Sequence, residues 1–592
     1  MTKFKRIISM MLVAVLSIAM AGCGSKPKNG MKDGKYIGEG EGKGGKIKAE
    51  VTIDGGKIKD VKVVEQHETE GIWEEPAKEI IKNVIATNSA NVDTVSGATL
   101  TSQGLIDAIK DALSKAGAQN NDTGAKVSVK EEDNEKPDQT YDVVVVGAGG
   151  AGLTAAIEAK NNGADVVVLE KMSSVGGNTI ISGGEMAAAG NWIQKKEGIV
   201  DSPDKHFEDT MKGGDYKNDP KLVRKLVDNA TPAAEWLRDE VGVEFEDTLF
   251  QFGAHSVKRS LVPKGASGVE IVKKLKAKAD SLKIPIKLNM KATELIKEGN
   301  KVVGVKATSK SGKEITFHAK NGVILASGGF GSNVEMRKRF NPEYGEKYKS
   351  TNSVGATGDG ITMAEKIGAD LKDPQYIQAY PMCDPLSGRL LYADDTRSVG
   401  TLIVNKEGKR FVNELGRRDV VSQAILKQTG SVCYELWDQN IHDLSKIEKN
   451  HKAELDYLAK NKLYAKVNTV KEAADFFQID AAELQKSLDT YNKYCENGKD
   501  EQFGKTKGSL VPINKPPYYI IKACPGIHHT MGGVKIDDES HVIAKDGSII
   551  KGLYAAGEVT GGVHGTNRLG SNAIADITVF GRISGKNAAL QK

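Results

Sequence analysis

The sharpest pattern of apolar and polar positions lies between Tyr141 and Gly177. Val143–Val146 form a short β-branched run, which suits a strand buried on both faces. Three glycines, Gly147, Gly149 and Gly152, follow at once in G-x-G-x-x-G spacing. A helical stretch then aligns Leu153, Ala156, Ile157 and Ala159, and a second apolar run, Val166–Leu169, ends in Glu170. Strand, glycine turn, helix, strand and acid in that order predict a β-α-β unit. Upstream, Ile47–Ile53 and Ile58–Val64 alternate about Asp54-Gly55-Gly56, the signal of a hairpin. Ile80, Ile81, Val84 and Ile85 predict one helical face, and Leu105, Ile106, Ile109, Ala112 and Leu113 another. Downstream, helical segments run to about Val241, then Lys301–Val305 and Glu314–Phe317 suggest a hairpin and Val323–Ala326 a returning strand. Glycine turns follow at Ala326–Asn333 and Gly355–Ile361.

These segments divide the chain. Residues 33–117 read as a small α+β domain. Residues 118–139 are polar and charged, too poor in apolar side chains to bury a core, and read as a flexible linker. At 592 residues the chain is too long for one core, and three or four domains are expected. A net charge of +5 is small for that length and no basic stripe stands out, so nucleic-acid binding is not indicated. The 65 glycines and sparse aromatics fit a nucleotide-binding α/β chain better than a β-sandwich.

The first 22 residues have the form of a secretory signal: Lys3, Lys5 and Arg6, an apolar run Ile7–Met20, then small residues. The ending Met20-Ala21-Gly22-Cys23 resembles the bacterial lipobox, which implies lipidation of Cys23 and residues 23–32 as a tether. The chain would then be lipid-anchored to the cell membrane on its extracytoplasmic face. The apolar run is short for a permanent span. The other cysteines, Cys383, Cys433, Cys495 and Cys524, are scattered without a C-x-x-C, so no metal site is expected and buried thiols are the default reading.

The glycine spacing carries its own chemistry. Gly147 permits the tight turn, Gly149 lets a pyrophosphate approach the backbone, and Gly152 lets helix and strand pack closely. The helix start favours phosphates, and Glu170 sits where a ribose hydroxyl needs an acceptor. The stretch Glu170–Thr179, E-K-M-S-S-V-G-G-N-T, resembles the second phosphate-side signature of FAD enzymes. Asp359, in the second glycine turn, is a candidate flavin-side acid. Near the C-terminus Gly552–Ile583 resembles the last FAD motif, implying Glu558 near the ribityl chain and a helix start near Ser571 facing the flavin pyrimidine. In the small domain, Asp93, Ser96, Gly97, Ala98 and Thr99 match D-x-x-[ST]-G-A-[TS]. This resembles FMN-binding domains whose terminal Thr is esterified to FMN, and implies covalent FMN on Thr99 with a flavin transferase as partner.

Together "GGNT", "GATGDG", "GKRFVNE…RD", "HHTMGG" and "GEVTGGVHGxNRLG" resemble the soluble fumarate reductase group of the succinate dehydrogenase/fumarate reductase flavoprotein superfamily. The resemblance covers about Thr140–Lys592. It implies an α/β, Rossmann-like FAD domain in two parts, 140–375 and 528–592. An inserted α+β capping or clamp domain, 376–527, lies between them. FAD contacts are implied for Ala151, Lys171, Gly177, Asn178, Thr179, Gly183, Gly184, Ala292, Ala573 and Ile574 as well. The FAD would be non-covalent, fed through FMN by a membrane donor, a quinol or a flavin or cytochrome carrier.

Members of this group reduce the C=C bond of a small unsaturated carboxylic acid. By motif match His528 and Arg568 hold its carboxylate, Gln378 is a further substrate contact, and His529 contacts either substrate or flavin. Arg418 is the implied proton donor, refilled by Asp394 and Arg397, where the family more often has Glu in place of Asp. An arginine can serve only if buried and re-protonated at once. Fumarate reductases usually carry Q-x-H-P and a Thr-Glu pair for a second carboxylate. Here Gln378-Ala379-Tyr380-Pro381 and Ala393-Asp394-Asp395 stand instead. An acid about 4 Å from a carboxylate costs roughly 4 kcal/mol at an effective dielectric of 20. The Tyr380 and Asp395 replacement resembles urocanate reductases, with Asp395 as the imidazole partner. The sequence leaves open whether Asp394 or Asp395 meets the substrate. Fumarate, an aryl acrylate such as cinnamate, and a non-catalytic electron-transfer lipoprotein stay as alternatives.

Overall fold

The computed structural model describes residues 31–68, 70–95, 98–118, 134–505 and 509–591. The leader, Cys23 and the tether up to residue 30, most of the linker, and Ser96 and Gly97 of the FMN motif lie outside the described residues.

The N-terminal unit is a three-stranded antiparallel sheet, β1 Gly34–Glu41, β2 Lys46–Asp54 and β3 Lys57–Glu65, in the order β1-β2-β3. Asp54 pairs with Lys57, and Gly55 and Gly56 both have positive φ (58° and 70°), the geometry of a tight hairpin turn. Two helices, α1 Glu74–Thr87 and α2 Thr99–Lys115, close the layer. Ile47, Val51, Ile80, Val84, Leu105 and Ile109 form its core. Gly40 faces α2 so closely that a Cβ would come within 2.1 Å of Gly104 O, so helix and strand meet backbone to backbone.

The larger unit holds two cores. In the first, β4 Asp138–Val146 leads through the glycine turn into α3 Gly150–Asn161 and on to β5 Val166–Leu169. Val143, Val144 and Val145 are fully buried, each contributing roughly 1.5–3 kcal/mol on transfer from water. Further strands are β6 Ile286–Lys287, β7 Lys291–Glu298, β8 Lys301–Thr308 and β9 Glu314–Leu325. The hairpin and the returning strand expected separately after Lys301 share one strand, β9. Its first half pairs antiparallel with β8 and its second half runs parallel to β4, past an irregularity between Ala319 and Gly322.

The second core belongs to the inserted segment and runs from Tyr380 to Ala523. It contains β10 Ile377–Cys383, α4 Asp395–Val399, β11 Leu402–Val404, α5 Arg418–Leu426, β12 Cys433–Asp438 and β13 Tyr464–Val467. The long strand β14 Tyr518–Thr530 pairs with β10, β12 and β13 and carries the chain back to the first core. There β15 Ile549–Ala555 completes a sheet ordered β7-β8-β15-β9-β4-β5-β6, and α6 Asn572–Leu590 packs on α3. Val146, Leu325 and Ala555 are in register at the carboxyl ends of three adjacent parallel strands. Ligands of open α/β sheets bind in the crevice beyond such ends. Among the described residues no helix is long and apolar enough to cross a membrane.

Candidate active site

The crevice beyond these strand ends is a cavity lined by the glycine turn, Glu170, Asn178, Ala326 and Glu558. Gly147, with φ 105°, turns the chain there, and a Cβ on it would meet Ala326 O at 2.4 Å. A Cβ on Gly152 would meet Gly147 O at 1.8 Å, so Gly152 packs the helix against the turn without lining the cavity. Gly149 caps α3 with no side-chain acceptor, which leaves the helix start for a phosphate. Glu170 accepts from the N–H groups of Ala148 (2.8 Å) and Met172 (2.9 Å), and burial raises its carboxyl above the ordinary value. Lys171 bonds Thr357 (2.5 Å) and Asp359 (2.8 Å). Asp359 is thus tied to the residue after Glu170 and lines the same cavity. Asn178 donates to Glu558 (3.0 Å), and Thr179 accepts from the N–H of Gly150 (3.2 Å). Ala151, Gly177 and Ala292 line the cavity; Gly183, Gly184, Ser571, Ala573 and Ile574 do not. The donor set and the close backbone approach fit an FAD pyrophosphate and ribose.

Beside this cavity two guanidiniums come together. Arg568 Nη2 and Arg418 Nη1 both approach Gln378 Oε1, at 3.2 and 3.5 Å. Gln378 is pinned in turn by Asn567 Oδ1 (2.6 Å) and Arg568 O (2.8 Å). Among the described residues neither arginine forms an ion pair, and Arg568 Nε is buried without a partner. Two neighbouring guanidiniums without an ion-pair partner favour an anion between them. Burial, then the neighbouring Arg418, pushes Arg568 down to about 9. Burial likewise lowers Arg418. His528 points Nδ1 at the Thr351 hydroxyl (2.9 Å), and burial beside Arg568 and Arg418 keeps it neutral at pH 7. His529 turns the other way. Its Nδ1 lies 3.6 Å from Glu558, a residue that lines the cavity, and its Nε2 is buried and unpartnered.

Arg418 begins α5 and lies over the Tyr380 ring, 4.8 Å from its centroid. The Tyr380 hydroxyl donates to Asp394 Oδ2 (2.6 Å), and Arg397 grips the same carboxylate through Nε (2.5 Å) and Nη2 (2.8 Å). Arg397 Nη1 donates to Glu414 O (2.8 Å), and Glu414 is fixed by buried Arg410. Two expectations change. The Tyr380 hydroxyl is committed to Asp394, so its ring and not its OH is offered to a substrate. Asp395 begins α4 with its side chain half exposed and facing His451 at 3.5 Å; it is Asp394, one residue earlier, that turns inward. Asp395 is thus half exposed, yet near enough to Glu185 for its charge to raise that carboxyl.

A further acid, Glu185, which the sequence reading passed over, folds its carboxylate against Gly183 and lies close enough to both arginines to feel their charge. Burial pushes its carboxyl up to about 7, Asp395 adds to the rise, and Arg418 and Arg568 oppose it. The signal was an acid inside the otherwise small and apolar run Ser182–Gly190. Phe252 completes the wall: its ring lies 5.8 Å from Arg418, and no side chain fits at Gly570 beneath it, where a Cβ would come within 2.2 Å. In the N-terminal unit, Thr99 is the exposed first residue of α2. Thr101 bonds Glu68, and Ser102 accepts from the N–H of Val95 (3.1 Å), which anchors the first turn of α2 next to the exposed Thr99.

Comparisons with known proteins agree with both units. Residues 142–574 match the FAD binding domain family and residues 42–114 the FMN-binding domain family. The chain is 44% identical over 585 residues to a urocanate reductase of Eggerthella lenta, covering 97% of this chain and 96% of that protein. It is 41% identical over 456 residues to a cytochrome fumarate reductase of Shewanella frigidimarina, covering 76% and 78%. Among solved structures, the open conformation of a flavocytochrome c3 fumarate reductase matches with a TM-score of 0.68 and 37% identity over 80% of this chain and 84% of that one.

Proposed function

The chain belongs to the FAD-binding fumarate reductase/succinate dehydrogenase flavoproteins, with an FMN-binding domain ahead of the FAD-binding one, and from that premise we propose that it reduces urocanate to dihydrourocanate. It is an oxidoreductase acting on CH–CH bonds, a flavoprotein reductase of unsaturated carboxylates. One observation carries the finer reading. The unpaired guanidiniums Arg418 and Arg568 can take one carboxylate, and the ionisable group beside them is the acid Glu185, which repels a second. An imidazole suits that acid: its ordinary pKa near 6.5 and the Glu185 carboxyl at about 7 allow the two to share a proton. Phe252 and Tyr380 offer flat faces to its ring. The same wall favours an aryl acrylate such as cinnamate as the second reading.

Reduced FAD, when bound, supplies the hydride that reaches the β-carbon of the substrate. Arg568, through its unpaired Nε, and neutral His528 hold the carboxylate, where negative charge builds as the double bond is reduced. Arg418 gives a proton to the α-carbon. Its burial is what makes a guanidinium a workable acid, because desolvation favours the neutral form. Asp394 and Arg397 lie behind it as the refilling pair, with Tyr380 against both Arg418 and Asp394.

We further infer covalent FMN on exposed Thr99, attached by a flavin transferase and fed by a membrane donor, and lipid anchoring through Cys23. An anaerobic reaction with reduced dye tests the assignment. Urocanate should leave as a product two hydrogens heavier; urocanate recovered intact while fumarate becomes succinate would refute it.

A further inference from the structure

We propose that Glu435 is held as a neutral carboxylic acid behind the Asp394–Arg397 pair, and that its proton sets the position and charge of that pair. Glu435 lies on β12, fully buried, opposite Ile403 of β11 and Ile521 of β14. Its Oε1 is 2.8 Å from Thr396 Oγ1, and the same hydroxyl is 2.8 Å from Ala393 O. Thr396 has one hydrogen and two oxygens that need it. If Thr396 donates to Glu435, two oxygens face each other at 2.8 Å with no hydrogen between Thr396 and Ala393. If Glu435 carries the proton and donates to Thr396, which donates to Ala393 O, both short contacts are hydrogen bonds. Oε2 is buried and makes no well-formed hydrogen bond, the Thr401 hydroxyl close to the carboxyl being itself unpartnered, which an ionised carboxylate would make costly.

The charged and titratable groups around it point the same way. Burial and the Asp394 charge push its carboxyl up to about 8, while Thr396, Arg397 and Thr401 oppose. Cys433, on its own strand, is held as a thiol. The chain Glu435–Thr396–Ala393 braces α4, whose N-terminal end carries Asp394 and whose body carries Arg397. Glu435 is therefore a positioning residue, acting through Asp394 and Arg397. Above its pKa hydroxide removes the proton to give water and a carboxylate. The brace then loses its donor, and a second negative charge stands behind the relay. That charge holds protons on Arg397 and Arg418 more tightly and slows delivery to the α-carbon.

This inference rests on the reductase reading for its kinetic arm alone, so two readouts are paired on the FAD-loaded enzyme. Infrared difference spectra across pH 6–10 should show a buried protonated carboxyl band that titrates near 8 in the wild type and is absent in Glu435→Gln. Glu435→Gln keeps a donor for Thr396 and no charge. Between about pH 8 and 9, below the loss of the Arg568 charge, the wild-type kcat should fall towards tenfold per pH unit with KM constant, and the variant should lose this alkaline limb. Should Glu435→Gln fail to hold FAD, Thr396→Val carries the test, because deleting the hydroxyl must shift the band. An unchanged band in Thr396→Val or Glu435→Gln, or an alkaline limb identical in wild type and Glu435→Gln, overturns the inference. If none of urocanate, fumarate or cinnamate is reduced, the reductase reading fails while the infrared band still decides Glu435.

Discussion

Glu185→Gln is the perturbation with the most calculable consequence, because one ionisable group is removed with little change of shape. The carboxyl moves from 4.5 to about 7 on folding, mainly by burial. A raised carboxyl means that folding takes up a proton between those values. Wild-type stability is thus fully present below about 4.5 and is lost as pH rises through about 7. At 1.36 kcal/mol per unit the loss is up to about 3 kcal/mol, and the glutamine variant escapes it. Urea unfolding of the two proteins should coincide near pH 4.5 and separate by up to that amount near pH 8. The same variant removes the proposed partner of the imidazole. A hydrogen bond to a charged group is worth about 1.5–3 kcal/mol, so KM for urocanate should rise by about 10- to 150-fold. Cinnamate, which has no ring N–H, should change less than about threefold by the same arithmetic. Dye-coupled rates with both acids read this directly. A stability difference that does not vary with pH, or equal losses for both acids, would refute the reasoning.

Arg418→Ala should lower kcat by at least about 100-fold, the low end for a lost general acid, with flavin content unchanged on the absorbance spectrum. Because Arg568 sits near 9, KM for any carboxylate substrate should climb about tenfold per pH unit above that value as its charge is lost, and a flat KM to pH 10 would count against it. Thr99→Ala should remove FMN from the denatured protein, seen by mass, while dye-driven turnover persists. Asp394→Asn should leave Arg397 without its carboxylate and depress kcat more than KM, read from steady-state kinetics.

The β-α-β unit was legible because a β-branched run, three spaced glycines and a terminal acid can be satisfied together in few ways. The single strand β9 was not, because its two halves look like separate strands until the neighbours β8 and β4 are known. Arg418, Arg568 and His528 were legible from motifs, and their shared approach to Gln378 explains why those residue types stand there. Adjacent acids are a different matter. Asp394 and Asp395 differ by one helical step, so the sequence cannot tell which turns inward; the N-cap position does so here and the next residue meets solvent. Glu185 and Glu435 escaped notice because an isolated acid in an apolar run gives no spacing pattern, and burial is what makes each of them chemically unusual.

The central claim is that one carboxylate is gripped by Arg568 and His528, with Arg418 poised over the double bond, while Glu185 selects the other end of the molecule. A single anaerobic reaction with equal concentrations of urocanate, cinnamate and fumarate, followed by the order in which they disappear, tests it most directly, since that order is the order of kcat/KM. Urocanate is expected to go first and fumarate last; fumarate consumed ahead of urocanate would contradict the account.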